Sequence, residues 1–462
     1  MAANRKALQV TSNNIANANT PGYSRQRPVM ESNMQSQTGG VRVGGGVEMK
    51  EALRIHDVFI EKQLLNENKT FGESKTKFEA LNRLESVLSS DQYRMSDLVN
   101  DFFNSARELS ANPEQGAMKL SLVESAKNAA RGFRQMNTSL QSFKSDLDNE
   151  LNANVADINA KAQELAKLNS SIAKFQHTRS TPGELLDRRD QILREMSSSL
   201  GLETMTDQFG GKNITLGGVG VLVNGGTANE LVVMRSPEDG NKADGDAEIY
   251  LKTSSGLSKV SQALNGEIGG LVDVRNNVVN QAIDKVDKSA FEFMKQVNSI
   301  HEQGVAADGS TGNKIFAGPS EVKDAAYFME LSPEAGNIDK IATGYTPDGP
   351  SDNRLALAMA DLQEAKFMPS SLNSESQEGV TLNEALNGIA GEVGIITKHE
   401  ADNFHQSEAV MQQLENYRES VSGVSIEEES INLAKYQAVF NASTKAMKIG
   451  SDLFNTVLSI VN

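Results

Sequence analysis

The C-terminal end of the chain carries a sevenfold apolar repeat, and no other feature constrains the fold as strongly. Strict sevenfold spacing keeps one stripe of a helix facing a partner helix, as in coiled coils. Ser425 and Glu428 have the spacing of a capping box, so a helix is predicted from there to Val461, roughly 54 Å long. The repeat consists of Ile426, Leu433, Phe440, Met447, Phe454 and Val461, with Tyr436 on the same seam.

A shorter match lies at the N-terminus, where Met1, Leu8 and Ile15 are also seven residues apart. A helix with such a stripe cannot bury it alone, and isolated helices are marginal in water. The simplest solution is a coiled coil between the two ends of the chain. Because the N-terminal helix is the shorter one, we expect neighbouring subunits to cover the rest of the C-terminal stripe.

The interior of the chain alternates between two kinds of pattern. Apolar residues three, four or seven apart predict long helices over 55–88, 114–176, 264–300 and 389–421. Residues 201–233 instead favour short strands separated by Gly and Asn, which supply the positive φ of hairpin turns. Ser236–Asp246 is charged and predicted to be a loop, and 303–350 is predicted to be irregular or short-stranded.

These patterns predict a mainly α protein with a smaller β-rich part, folded so that outer segments pair around inner ones. The N- and C-terminal helices pair in a coiled coil, a long-helix bundle follows, and a β-containing domain lies outward. The predicted domains are a terminal coiled coil of 1–43 with 424–462, a helical bundle of 44–200 with 265–303 and 353–423, and a β-rich outer part of 201–264 with 304–352.

Composition excludes several classes of function. The chain has 45 Lys and Arg against 61 Asp and Glu, a net charge of −16, which argues against a nucleic-acid or anionic-membrane binder. It has no Cys, which removes disulfides and thiolate chemistry. No run of 18 apolar residues exists to span a membrane, and the first ten residues lack the apolar core of a secretory signal.

The sequence contains no recognisable catalytic set. The His residues show no zinc-ligand spacing and are expected to be solvated surface residues. No nucleophile elbow, phosphate-binding loop or dinucleotide fingerprint occurs, and Gly218–Gly220 is better explained as a hairpin turn. We therefore predict a protein that is not an enzyme, with no catalytic, cofactor-binding or metal-binding residues. The five His residues are His56, His177, His301, His399 and His405.

An Asn-rich segment, 12–26, is the most unusual part of the sequence. Asn is a poor helix former because its amide competes for backbone groups, so two readings stay open. One is a ragged helix end, with Asn in a left-handed cap and Pro21-Gly22 in a type II turn. The other is an uncharged polar strip that packs against neighbouring subunits. Both can hold.

This segment, SNNIANANTPGYSRQ, resembles the N-terminal signature of the bacterial flagellar axial proteins, the rod, hook and hook-associated components. Its second half, Pro21–Gln26, is similar to the hook-associated protein 1 family in particular. The family normally has a further apolar helical stretch before the signature, and a different start codon would explain a sequence that begins at Met1. Further segments that resemble motifs of the family are 44–64, 183–197, 266–276 and 423–462.

The resemblance implies a structural protein that leaves the cell through the flagellar type III export channel and polymerises where the hook joins the filament. Its implied partners are copies of itself, the hook protein, the next hook-associated protein on the filament side and an export chaperone. Neither nucleic-acid binding nor membrane insertion is implied. Terminal helices would line an inner tube, with the middle of the chain facing outward. Separately, the unburied apolar stripe itself leads us to expect that both ends are largely disordered before assembly and become ordered on docking.

Two alternatives stay open. Another axial protein, such as a hook or rod subunit, would lack the 183–197 motif and the long helix over 114–176. A secreted adhesin or enzyme built on the same scaffold would need a functional set in the middle of the chain. The predicted assembly residues are Leu8, Asn13, Asn14, Ile15, Asn17, Asn19, Pro21, Gly22, Tyr23, Ile426, Leu433, Tyr436, Phe440, Met447, Phe454 and Val461.

Overall fold

The computed structural model describes residues 1–32, 37–38, 41–42, 46–89, 95–175, 182–208, 210–236, 245–260, 264–346, 352–369 and 379–461. The α-helices are α1 (Ala2–Ala16), α2 (Val58–Leu88), α3 (Met95–Ala111), α4 (Gly116–Phe175), α5 (Gly183–Ser199), α6 (Gly266–Asp273), α7 (Asn280–His301), α8 (Ala325–Phe328), α9 (Arg354–Asp361), α10 (Leu382–Ser422) and α11 (Ile426–Val461). Between α6 and α7 the helix continues as a π-helix, Val274–Val279.

The strands form small antiparallel sheets. The strands are β1 (Gln26–Ser32), β2 (Gln37–Thr38), β3 (Val41–Arg42), β4 (Val47–Arg54), β5 (Glu203–Thr206), β6 (Lys212–Leu216), β7 (Gly220–Asn224), β8 (Thr227–Ala228), β9 (Glu230–Arg235), β10 (Ala247–Thr253), β11 (Gly256–Lys259), β12 (Phe316–Ala317) and β13 (Glu330–Leu331). One sheet has the order β5-β6-β7-β8, another has the order β11-β10-β9, and three further pairs are β1 with β4, β2 with β3 and β12 with β13.

The predicted fold class and nested pairing are confirmed. α1 packs against α11, and inside that pair α2 packs against α10. The second pair is antiparallel, because Leu64 clusters with Met411, and Phe71, further along α2, lies 5.6 Å from Phe404 between ring centroids. Apolar residues of both helices recur at three- and four-residue intervals, so each helix buries one stripe against the other. One member of the predicted α2 stripe, Phe59, is instead exposed.

The longest helix, α4, is the centre of the core. A cluster of aromatic rings from α3, α4, α7 and β12 packs around Phe293, with ring centroids 5.2–6.1 Å apart. The sequence prediction does not include α3, although its apolar residues have helical spacing. The rings packed around Phe293 are Phe102, Phe103, Phe133 and Phe316.

The two segments predicted as one outer part lie against different stretches of α4. The sheets of residues 203–259 are fixed to its C-terminal half, where Asn159 exchanges hydrogen bonds with backbone groups of Leu231 at 2.8 Å. Residues 304–346 lie against its N-terminal half, where Arg134 donates to the Met329 carbonyl at 2.9 Å. The predicted domain boundaries stay a prediction from the sequence.

The hairpin prediction for the middle of the chain agrees with β5, β6, β7 and β9, and Gly217 and Gly218 take positive φ in the turn between β6 and β7. β10, β11 and the β1–β4 pair were not predicted. Most of the loop predicted at Ser236–Asp246 lies outside the described residues. None of the described helices is long and apolar enough to cross a bilayer.

Candidate assembly interface

The two chain ends meet where the C-terminal end of α1 lies beside the first turn of α11. Asn14 is the centre of this contact and only 1% exposed. Its Nδ2 donates to the Gln26 carbonyl at 2.8 Å and to Glu429 Oε2 at 3.1 Å. Its Oδ1 accepts from Tyr23 Oη at 2.8 Å and from the Gln26 N–H at 3.0 Å. One neutral amide therefore joins α1, β1 and α11.

A second link is ionic. Arg25 places Nε 2.7 Å from Glu429 Oε1 and Nη1 2.7 Å from Glu428 Oε2. The Arg25 backbone N–H also donates to the Ser422 carbonyl at 2.9 Å. Glu429 is buried, so its charge is balanced by Arg25 and by the Asn14 amide rather than by water. Half of the predicted capping box is present: the Glu428 N–H lies 3.4 Å from Ser425 Oγ, but the Glu428 carboxylate contacts Arg25 instead of the Ser425 N–H.

A turn inside the Asn-rich segment, at Thr20–Tyr23, agrees with the first reading of that segment. Gly22 has φ +79, and the Tyr23 N–H donates to the Thr20 carbonyl at 3.2 Å, as in a type II turn with Pro21 before the glycine. The expected left-handed Asn cap is wrong, because Asn17 ends α1 with φ −103. Burial, followed by the nearby carboxylates of Asp187, Glu184 and Glu429, raises the pKa of Tyr23 to about 12.

The buried face of α1 differs from the predicted stripe. It consists of small and polar residues at three- and four-residue spacing, which allow close approach of backbone to backbone. Leu8 and Ile15 are half-buried beside this face, as are Asn13, Asn17 and Gly22, whereas Asn19 and Pro21 are exposed. Asn14 and Tyr23 are satisfied within one chain, so contact with a second subunit stays a prediction for them. The buried residues of α1 are Ala3, Ala7, Thr11 and Asn14.

The seam of α11 changes character along its length. Leu433, Tyr436 and Phe440 are half-buried, whereas every side chain from Thr444 to Ile460 is exposed. α1 is antiparallel to α11 and, with 15 residues against 36, ends before the second half of its partner. The exposed fraction is 61% for Met447 and 65% for Phe454. Ile426 is also exposed, and the Val461 side chain lies outside the described residues.

Charged residues connect this terminal region to the bundle. Arg54 in β4 contacts two carboxylates of α5, Asp187 and Asp190, each at 2.7 Å. Burial alone would raise the pKa of Asp190, but the positive charges of Arg189 and Arg54 lower it. Arg194, also in α5, contacts Glu61 in α2 at 2.8 Å. The 183–197 motif therefore supplies the charges that hold β4 and α2 on the bundle.

Sequence reasoning missed Arg25, Glu429 and Thr11. Arg25 stands inside the Asn-rich segment and Glu429 inside an acidic run, and charged residues in such runs are ordinarily solvated. Arg25 and Glu429 become partners only because the two ends of the same chain pair with each other. Thr11 sits at a helical spacing of three from Asn14, which is the one signal that the sequence offers.

The five His residues hold no catalytic arrangement among the described residues. The expectation that they are solvated is wrong for His301, which is buried. Both of its ring nitrogens have backbone partners: Nδ1 lies 2.8 Å from the Asn313 carbonyl, and Nε2 accepts from the Ala342 N–H at 3.0 Å. His399 and His405 are exposed, and His177 lies outside the described residues. Within the described ranges no group of three or more His, Asp or Glu could hold a metal ion.

The two ends of this mainly helical chain form one incomplete helix pair, and half of the apolar seam of α11 is uncovered within the described residues, an architecture typical of structural proteins. Comparison with known protein families identifies the family. The family model described as the flagellar hook-associated protein FlgK helical domain matches residues 81–316, and that of the flagella basal body rod proteins matches residues 1–23. The chain belongs to the FlgK family of flagellar hook-associated proteins.

Individual relatives agree along nearly the whole length. The chain is 26% identical to flagellar hook-associated protein 1 of Bacillus subtilis, over 99% of this chain and 96% of the relative. It is 24% identical to the protein of the same name in Escherichia coli, over 99% of this chain and 97% of the relative. Its fold is similar to that of the hook junction protein FlgK of Burkholderia pseudomallei, with a TM-score of 0.68 at 15% identity, covering 78% of this chain and all of the other.

Proposed function

We propose that this protein is a structural subunit of the bacterial flagellum that polymerises at the hook–filament junction and joins the flexible hook to the filament. The observation that carries the proposal is the bare second half of α11, from Thr444 to Ile460. An isolated helix of this length is marginal in water, so its apolar stripe needs helices from elsewhere. In a tube of sibling subunits the same stripe becomes an interior surface.

A second exposed apolar group supports contacts between copies. Val47 and Leu53 in β4, together with Val58 and Phe59 at the start of α2, are all exposed although they are large and apolar. They lie on the segment between the terminal pair and the bundle. Packing of this segment on a neighbouring subunit would extend the interface outward from the tube wall.

The partners proposed for the assembled protein are copies of itself, the hook protein on one side and the next hook-associated protein on the other. An export chaperone would protect the same α11 stripe before assembly, since an exposed apolar helix invites aggregation. The proposal assigns no catalytic activity, cofactor or metal to the chain. The adhesin or enzyme alternative has no supporting observation in the described part of residues 201–352, and the hook or rod alternative does not account for the match over 81–316.

The test is the position of the protein on isolated flagella. An epitope tag in the exposed turn at Ser254–Ser255 keeps the label away from the terminal helices. Immunogold labelling should give one narrow band at the boundary between hook and filament. Labelling along the filament, or throughout the hook or rod, would contradict the proposal.

A further inference from the structure

A cleft of about 880 Å³ lies between the start of α2, α5 and β5. None of its lining residues belongs to α1 or α11, so it is separate from the α11 seam. Leu65, Leu186 and Leu193 contribute apolar surface to it, and Met205 projects at its edge with 64% of its surface exposed. A cleft of this size accommodates a short peptide or a small ligand.

The orientation of β5 makes this cleft unusual. Five consecutive residues, Leu202–Thr206, line it. Successive side chains of a strand point to opposite faces, so a cleft against one face would be lined by alternate residues only. The cleft therefore runs along the edge of β5. β5 is the outer strand of its sheet, and no described strand pairs with that edge, which leaves backbone N–H and C=O groups available.

The charges around the edge favour an acidic partner. Arg54 and Arg189 are neutralised by Asp187 and Asp190. Lys62 and Lys212 line the cleft with no ion pair among the described residues, and burial, reinforced by the charge of Arg189, lowers the pKa of Lys212.

Carboxylates in the lining are fewer and mostly paired. Glu61 is bound by Arg194 at 2.8 Å, and Glu203 is the one lining carboxylate without an ion pair in the described part of the chain. Lys212 is half-buried and its Nζ donates to Thr206 Oγ1 at 2.8 Å, so an incoming carboxylate would stabilise its charge, whereas Lys62 is exposed and adds a solvent-screened charge to the lining. Two unpaired cations against one unpaired carboxylate therefore favour an anionic ligand, although the protein as a whole carries a net charge of −16.

We propose that this cleft binds an extended peptide segment of another protein, with alternating apolar and acidic side chains, as an added strand on the edge of β5. In this mode backbone hydrogen bonds supply affinity, and alternate side chains supply specificity. The apolar side chains would enter the leucine-lined wall, and the carboxylates would meet Lys62 and Lys212. The proposal goes beyond the flagellar function, because no lining residue belongs to α1 or α11; the cleft shares only Val58 with the exposed apolar group of β4 and α2.

The test uses the purified full-length chain and a fluorescein-labelled peptide of alternating valine and glutamate, followed by fluorescence anisotropy. We expect saturable binding that falls at least tenfold in the double variant Lys62→Glu, Lys212→Glu. A matched control, Lys167→Glu with Lys398→Glu, makes the same charge change at two exposed lysines outside the cleft and should bind as the parent does. Circular dichroism checks that both variants are folded.

Two further peptides separate strand addition from simple charge attraction. N-methylation of alternate peptide amides should abolish binding, because it removes the backbone donors. A valine–lysine peptide should bind the Lys62→Glu, Lys212→Glu variant and not the parent. Binding that survives N-methylation, that is equal for both charge patterns, or that is lost equally in the control variant would overturn the proposal.

Discussion

At the scale of single residues, Asn14 explains why a helix rich in a poor helix former is used at the chain end. Its amide makes four hydrogen bonds, two as donor and two as acceptor, to three different parts of the molecule. A carboxylate in this place could not donate to Glu429, and an apolar residue would leave the Gln26 backbone groups unpaired. The helical cost of Asn is therefore offset by a buried contact that a neutral amide is suited to make.

Replacing Asn14 by Asp should loosen the terminal pair. The change removes two donated hydrogen bonds and places a second carboxylate against Glu429, so we expect the docking of α1 to weaken by about 1–3 kcal/mol. Hydrogen exchange of the α1 amides measures this directly. Asn19→Asp is the matched control, because Asn19 is exposed. Equal exchange in both variants would show that the Asn14 contacts contribute nothing.

A second buried polar residue, Asp287, fixes α8 to α7. It accepts hydrogen bonds from the backbone N–H groups of Asp324 and Ala326, both at 3.0 Å, and from Asn137 Nδ2 at 3.1 Å. Burial nevertheless raises the pKa of Asp287 to about 6. The folded protein therefore binds a proton at this site more tightly than the unfolded chain does, and the group stabilises the fold less as pH rises between about 4 and 6.

This linkage is measurable against Asp287→Asn, which cannot titrate. The free energy of unfolding of the parent protein relative to this variant should decline as pH rises from about 4 to 6 and then level off. Urea denaturation at several pH values gives the difference. Asp146→Asn, which removes an exposed carboxylate from α4, controls for the change in net charge. A difference that is constant, or that grows with pH, would contradict the raised pKa.

His301 shows why the burial of a polar side chain is hard to predict from the sequence around it. Its two ring nitrogens bond to backbone groups of Asn313 and Ala342, which are 12 and 41 residues away. No local pattern around His301 contains those partners. Asn14 is similar, because its partner Glu429 is 415 residues distant. Burial of polar side chains depends on long-range pairing, so the sequence indicates the helices but not which polar residues they bury.

At the scale of elements, α11 is one helix with two environments. Its first half is covered by α1 and fixed by Arg25, and its second half has no covering element in the described structure. The polar row of Asn441, Lys448 and Asn455 runs beside the apolar row on the same helix. A row that keeps its apolar character without a partner in the chain indicates a partner outside it.

Phe454→Asp should abolish assembly into flagella without changing the stability of the isolated chain. The side chain is 65% exposed, so its loss affects unfolding by no more than about 0.5 kcal/mol, whereas a carboxylate in a buried seam between subunits is costly. Thermal unfolding and incorporation into flagella of a deletion strain measure the two effects. Asn455→Asp adds the same charge on the polar row and should assemble normally. Normal assembly of Phe454→Asp would refute burial of the seam.

Long helices with a regular apolar repeat could be predicted from the sequence, whereas short strands without clear apolar alternation could not. The start of α11 at Ile426 follows from the capping-box spacing of Ser425 and Glu428, and the extent of α4 follows from its apolar spacing and the flanking Pro113 and Pro182. β1 contains Pro28 and half-buried or exposed residues, so it offers no alternation to detect. In β10, buried residues do alternate with less buried ones, at Ala247, Ile249 and Leu251, so this strand could have been predicted from its sequence.

At the scale of the whole molecule, stability is distributed unevenly. One continuous hydrophobic core extends through the bundle, the sheets of residues 203–259 and the segment beyond α7, whereas the terminal pair depends on a few polar contacts. Regions with few buried apolar contacts open first. The core and the terminal pair should therefore respond separately to the same perturbation.

Limited proteolysis of the purified chain should show this order. Trypsin should cleave at Lys445 and Lys448 first, because they lie in the fully exposed half of α11, and should then remove the terminal segments while the core persists. Mass spectrometry of the fragments over time identifies the sites. Cleavage within α4 or α7 at the same rate as at the termini would contradict an independently stable core.

Thiol labelling measures most directly whether the exposed half of α11 becomes buried among sibling subunits. Since the chain has no Cys, Phe454→Cys creates a single reactive site, and Ser254→Cys in the exposed turn between β10 and β11 is the matched control. A maleimide should react with both variants in the purified protein. In isolated flagella, we predict that Cys at position 454 is protected while Cys at position 254 still reacts; equal reactivity of both in flagella would contradict the central claim.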